Sequence, residues 1–288
     1  MLRDIDRVQL LVPDTGAAAA KWTSLLGAQE VGKDAVKTLS AKRTTLHIGT
    51  SCVELLEPDG SGIADAALKA RGRAHLFAAG ISTTDMAGLQ KHLAASAAEV
   101  VAEGEQLHIC LPVEDTPVRF VVSPHEERSQ IGDASFLYEA TLLVQNEAAA
   151  VKLFVDTFGL NDAGFEHISS ENFGYTGTLT LFDAQRLHRF EVISPTSAEK
   201  TMGRYFAREG VCYYMAFCES ARMLDIEARA TAQDAGITIE RPDGRSADKT
   251  PDQMWLHPPS LGGMMLGISR PSMAWNWSGH PDRVEDVA

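Results

Sequence analysis

Long apolar runs, basic stretches and paired cysteines are what this sequence lacks. No segment approaches the roughly 20 consecutive apolar residues of a membrane-spanning helix. The opening Met1-Leu2-Arg3-Asp4-Ile5-Asp6 lacks the basic-then-apolar layout of a signal peptide and runs straight into strand-like sequence, so a cytoplasmic location is expected. Only 26 Lys and Arg stand against 39 Asp and Glu, a net charge of −13, and no Lys/Arg run or aromatic-plus-basic patch interrupts that balance. Such a field repels phosphate backbones, which argues against nucleic acid and anionic membrane as partners. The four cysteines, Cys52, Cys110, Cys212 and Cys218, contain no CxxC and fall on strand-like segments. Buried thiols in a reducing compartment fit them better than a disulfide framework.

What is present is a repeat. The 288 residues, 44% hydrophobic and 23% charged, are enough for two domains. Asp6 to Pro13 is rich in β-formers and ends at a proline. Asp14 or Thr15 can cap a helix over Ala17–Leu26, and Gly27 sits where a left-handed C-terminal residue belongs. Strand-like pieces follow at Val36–Ala41, Thr44–Ile48 and Cys52–Leu56. The same order returns from Leu137, with Asn146 as cap, a helix over Glu147–Phe158 and Gly159 as stop. Arg7 and Glu139 are 132 residues apart, as are Gly27 and Gly159.

Two further units fill the gaps. One runs from Ala74 through a helix at Asp85–Ser96 to strands near Gln106–Cys110 and Val118–Val122. The other runs from Cys212 through a helix at Ala221–Ala235, stopped by Gly236, to strands near Met254–Leu256 and Met264–Ser269. The polar stretch His125–Ala134 reads as the joint between domains at 1–127 and 135–272, and 273–288 as a polar, loose tail. The expected class is α+β, with four βαβββ modules. Spacing alone leaves a ferredoxin-like or other α+β repeat open.

Particular strings carry a resemblance. Ile5-Asp6-Arg7-Val8-Gln9 with Val12-Pro13-Asp14, Val53-Glu54-Leu55-Leu56-Glu57-Pro58, Gly72-Arg73-Ala74-His75-Leu76-Phe77-Ala78, and His257-Pro258-Pro259-Ser260-Leu261-Gly262-Gly263 resemble opening and closing segments of vicinal-oxygen-chelate modules. That is the glyoxalase, bleomycin-resistance and extradiol-dioxygenase superfamily, and the likeness reaches to about residue 271. It implies modules paired into two cupped half-barrels, with ligands of a divalent metal (Zn, Mn, Fe or Ni) on the first and last strands. The positions carried over are Arg7 and Glu54, His75 and Phe120, Glu139 and Glu191, and Tyr214 and Gly267.

Which residues converge then depends on the pairing. If modules pair one with four and two with three, His75, Glu139 and Glu191 form a metal set, and Glu54, Tyr214 and His257 an acid/base set beside Arg7. If neighbours pair, neither cup has a full metal set, and any metal is absent. Each residue also has a plainer role. His75 is then a half-buried histidine, Glu139 and Glu191 sit in ion pairs or a wet cavity, and Glu54 bridges to Arg7. Tyr214 then fills space, and His47 and His108 only point into the cups. Gly262-Gly263 lacks the helix and lysine of a phosphate loop. Trp275 and Trp277 pack the tail down or serve as a lid.

The resemblance implies an enzyme acting on a small oxygenated molecule through an enolate, as an isomerase or lyase. A metal-free sequestering protein and a ring-cleaving dioxygenase remain alternatives, in a monomer or homodimer.

Overall fold

A computed structural model describes residues 1–287. The first half of the chain runs β1 (Leu2–Leu11), α1 (Thr15–Leu26), β2 (Gln29–Val36), β3 (Ala41–Ile48), β4 (Ser51–Pro58), α2 (Gly62–Arg71), β5 (His75–Thr83), α3 (Met86–Leu93), β6 (Glu99–Glu103), β7 (Gln106–Val113) and β8 (Thr116–Pro124). The second half repeats it with β9 (Phe136–Leu143), α4 (Glu147–Phe158), β10 (Glu166–Ser170), β11 (Tyr175–Leu181), β12 (Arg189–Pro195), α5 (Thr201–Glu209), β13 (Cys212–Glu219), α6 (Met223–Ala232), β14 (Ile237–Glu240), β15 (Gln253–Leu256) and β16 (Met265–Ser269).

The helix punctuation follows from local chemistry. The Asp14 carboxylate accepts from the Ala17 amide at 2.9 Å, and the Asn146 side chain accepts from Ala149. Gly27 and Gly159 close their helices at φ 70° and 63°, in the left-handed region that glycine reaches without strain.

Two sheets result, in the orders β2-β3-β4-β1-β5-β8-β7-β6 and β10-β11-β12-β9-β13-β16-β15-β14. Each is a curled half-barrel. At the centre of each, the first strands of two neighbouring modules run antiparallel: β1 on β5, and β9 on β13. Modules therefore pair one with two and three with four. The cross-pairing that would bring His75 to Glu139 and Glu191 does not occur.

Other expectations shift in detail. The second strand is Gln29–Val36 rather than Val36–Ala41, and Lys37–Leu39 forms a short 3₁₀ turn. This strand lies at a sheet edge with seven of its eight residues exposed, so it carries no apolar alternation to read. Two helices, α2 and α5, occupy the links between paired modules.

The convex faces share one core. Phe120, Phe154, Phe158 and Phe190 pack edge-on or tilted at centroid distances of 5.1–6.1 Å, with Tyr213 6.1 Å from Phe120. Trp22 is fully buried and donates its indole N–H to the Leu261 carbonyl at 3.0 Å. Phe120, carried over as a cup position, instead faces this core with Val118 and Val122, because alternate strand residues share a face. The tail docks rather than hanging loose: Met273–Trp277 forms a 3₁₀ turn against Tyr138, Leu187 and Phe217, and the Arg283 guanidinium lies 4.5 Å from the Trp275 ring centre. No helix among the described residues is long and apolar enough to cross a membrane.

Candidate active site

The two cups have diverged in opposite ways. In the first, Glu54 is a saturated carboxylate. It accepts from Arg7 Nη1 at 2.8 Å, Gln9 Nε2 at 2.7 Å and Gln106 Nε2 at 2.8 Å, with Arg43 Nη1 at 3.4 Å. Burial alone would raise its pKa, but the Arg7 and Arg43 guanidiniums and both amides hold it down to about 2. Arg7 in turn binds Asp6, and Arg43 binds Asp34 through two nitrogens. Glu54 was expected among catalytic groups. Its fixed ionisation and full set of donors give it instead the bridging role across this cup. His47 and His108 border the same cavity of about 500 Å³.

His75 stands apart from both sites. It lies at the start of β5, with Nδ1 on the Arg73 carbonyl at 2.9 Å and its ring 6.4 Å from that of Phe77. Burial depresses its pKa to about 4. It borders neither cup cavity.

The second cup gathers the other four expected residues. Glu139, Glu191, Tyr214 and His257 all border one cavity of about 690 Å³. Its floor is a two-by-two patch on β9 and β12, whose register places Arg189 beside Glu139 and Glu191 beside Thr141. Phe190 and Val192 point into the core, so Arg189 and Glu191 share the concave face. Arg189 Nε donates to Glu139 Oε2 at 2.7 Å, and Nη1 to the Leu187 carbonyl at 3.0 Å. The guanidinium carbon sits 4.8 Å from the Tyr138 ring centre, and Nη2 has no partner.

Glu191 takes the opposite state to Glu54. Burial first, and the neighbouring Glu139 charge second, push its carboxyl well above the usual range, which favours the protonated form. The Thr141 hydroxyl bridges the pair, with a short bond to Glu191 Oε2 and a 3.5 Å contact to Glu139 Oε1. Tyr214 reaches the cavity through an irregularity in the β13–β9 register between Tyr213 and Met215, which turns both Tyr214 and Met215 to the concave side. Burial, then Tyr205 and Glu191, raise the Tyr214 phenol to about 12, so it stays a neutral phenol that can donate a hydrogen bond. His257 lies on the wall with Nε2 2.8 Å from the Thr238 hydroxyl and Nδ1 against the Gly236 backbone.

Arg189 is the residue the sequence reading missed. A signal was available: Arg189 and Glu191 alternate with Phe190 and Val192, marking a charged face within an apolar strand.

No protein-family model and no curated protein sequence matches the chain. Solved structures do. A triple mutant of 4-hydroxymandelate synthase from Streptomyces coelicolor aligns over 94% of this chain and 93% of its own, with TM-score 0.71 at 12% identity. The 2,3-dioxygenase LapB from Pseudomonas sp. KL28 aligns over 93% and 92%, with TM-score 0.60 at 12% identity. The chain has the vicinal-oxygen-chelate fold. A fusion of a xylose isomerase-like TIM barrel with a 4-hydroxyphenylpyruvate dioxygenase aligns over 94% of this chain and 49% of its own, with TM-score 0.64 at 12% identity. At such identity the likeness establishes the vicinal-oxygen-chelate architecture and not a reaction.

The divalent metal implied by vicinal-oxygen-chelate relatives does not fit these side chains. Among the described residues, no three His, Cys, Asp or Glu groups converge as a ligand set. In the second cup, Glu139 is committed to a guanidinium, and burial favours the neutral form of Glu191. Gly267, a carried-over ligand position, is overlain by Phe217: a Cβ there would lie 2.2 Å from the Phe217 ring. An imidazole is missing from the floor because His75 belongs to the other sheet.

Proposed function

We propose that the second cup is a metal-independent acid/base site for a small, largely apolar oxygenated molecule, and that the Glu139–Glu191 pair carries the proton. The supporting observation is Glu191, whose carboxyl burial pushes well above the usual range, on the floor of a ligand-sized cavity next to a Glu139 side chain held by Arg189. Two carboxyls in unlike environments supply an acid and a base at one pH. A ligand carbonyl oxygen over Glu191 takes its hydrogen bond. As the Glu139 carboxylate takes a proton from the adjacent carbon, the C–H pair becomes the C=C bond and the carbonyl π pair takes the proton of Glu191, giving an enol, a protonated Glu139 and a Glu191 carboxylate. Return of the proton to either carbon face completes an isomerase-type cycle. Thr141 keeps the two carboxyls together, and Tyr214 offers a second donor.

The test uses α-hydrogen exchange of phenylacetone in heavy water, followed by NMR. The parent protein accelerates exchange, and Glu191→Gln loses it at an unchanged melting temperature. Saturable binding without exchange would replace this reading with metal-free sequestration. Exchange that survives Glu191→Gln would assign the proton to another group.

A further inference from the structure

The lining of the second cup also restricts what it can hold, and this step rests on the reading that the cup is the binding site. Six aromatic side chains border the cavity: Phe173, Tyr175, Tyr214, Phe217, Trp255 and Trp277. Four carboxyl side chains, Glu139, Glu166, Glu191 and Glu240, border it as well, and no Lys or Arg does. The other cavities differ. The first cup is bordered by Arg7, Arg43 and Arg128, and the cavity at the junction of the sheets by Arg128 and Arg186. Missing cations are therefore a property of this cup and not of the chain's acidic composition. The one guanidinium at its floor, Arg189, is fully buried and committed to Glu139.

These features separate ligands by charge. A carboxylate or phosphate entering the cup leaves water and meets four carboxyl side chains and, among the described lining residues, no Lys or Arg, which is costly. A cation finds the negative faces of aromatic rings and several carboxyl oxygens. Phe217, buried between Tyr138 and Gly267, meets Trp255 nearly edge-on with ring centres 6.4 Å apart and backs that side of the cup. Phe173 and Trp277 add rings nearer the opening, where Phe173 is 45% exposed. A compact, weakly hydrated ammonium group gains most from such a box, because it gives up little water and touches several rings at once.

We propose that the second cup binds an organic cation, a small molecule bearing a quaternary or alkylated ammonium group beside its oxygenated part. The net charge of −13 adds a long-range attraction of the same sign. The ammonium group lodges among the rings, and the oxygenated end reaches the floor.

Three isosteric probes test it by calorimetry: meta-hydroxyphenyltrimethylammonium, the neutral meta-tert-butylphenol and the anionic meta-hydroxybenzoate. The ammonium compound is expected to bind about tenfold more tightly than the tert-butyl compound, the range of a desolvated cation–π contact. The benzoate is expected not to bind. Trp255→Ala and Trp277→Leu should erase most of the cation's advantage while changing affinity for the neutral probe less. Melting curves identify any variant that fails to fold, and Trp255→Phe, which keeps a ring, should retain the preference. Equal or tighter binding of the neutral probe, or binding of the benzoate, overturns the proposal. In that case, Glu191-dependent exchange of phenylacetone still leaves the acid/base reading standing. Failure of all three probes to bind, with no exchange, overturns both.

Discussion

Arg189 and Glu139 form an ion pair at 2.7 Å in which both side chains are sealed from solvent. The pair neutralises one carboxylate of the second cup, while burial and the Glu139 charge favour the protonated form of the other, Glu191. A single arginine thus sets the character of a two-carboxyl floor.

Removing that arginine should be costly. Arg189→Met leaves the buried Glu139 unpaired, and breaking such a pair from one side costs about 3–5 kcal/mol. The double variant R189M/E139L should recover most of that loss, since an apolar replacement of both partners removes the stranded charge. Urea denaturation of the two variants checks the order.

The pH dependence of stability should have an acid arm from Glu54. Its pKa falls from 4.5 to about 2 on folding, so its contribution is present above pH 4.5 and is lost as pH drops toward 2. Glu54→Gln should therefore destabilise the protein by roughly 3 kcal/mol at neutral pH, with the gap to the parent closing in that acid window. Denaturation midpoints measured from pH 7 downward test both statements.

Glu191 should do the reverse. Its folded pKa is raised above 4.5, so the native state favours the protonated form and stability is lost as pH climbs from 4.5 through the raised value. Glu191→Gln mimics the protonated acid and should flatten the alkaline side of the stability curve. A parent curve that is already flat there would contradict a protonated Glu191.

Metal removal should change nothing. With no converging ligand set, exhaustive dialysis against a chelator should leave the melting temperature and phenylacetone exchange as they were. Substoichiometric metal by atomic emission is the companion expectation. A drop of several degrees on chelation would require ligands that the floor does not offer.

Gly267 makes room for an aromatic ring. Gly267→Ala places a methyl 2.2 Å from the Phe217 ring, which must then swing toward the cavity. Overpacking of this kind costs about 1–3 kcal/mol. Affinity for any cup ligand should fall along with the melting temperature.

Much of the fold could be read from the sequence, because cap, helix and stop residues recur in a single register from Asp14 to Gly27 and from Asn146 to Gly159. The pairing of modules could not. β1, β5, β9 and β13 are buried on both faces, so burial alternation does not say which strand lies beside which. That choice separated His75 from Glu139 and Glu191. Edge strands such as β2 and β6 escaped because their side chains are mostly exposed. Of the residues that border the second cup, Glu139, Glu191, Tyr214 and His257 were singled out by position, while Arg189 was not singled out.

The aromatic cluster of Phe120, Phe154, Phe158 and Phe190 has a consequence for how the molecule comes apart. It takes one ring from the first sheet and three from the second half of the chain, so neither half can be parted without baring rings to water. Although the two halves copy one plan, they should melt as one cooperative unit, with a single calorimetric peak whose enthalpy matches the van't Hoff value. A chain cut within 125–134 should yield fragments that aggregate separately and regain solubility only together. The duplication that built this protein has become irreversible at the level of folding.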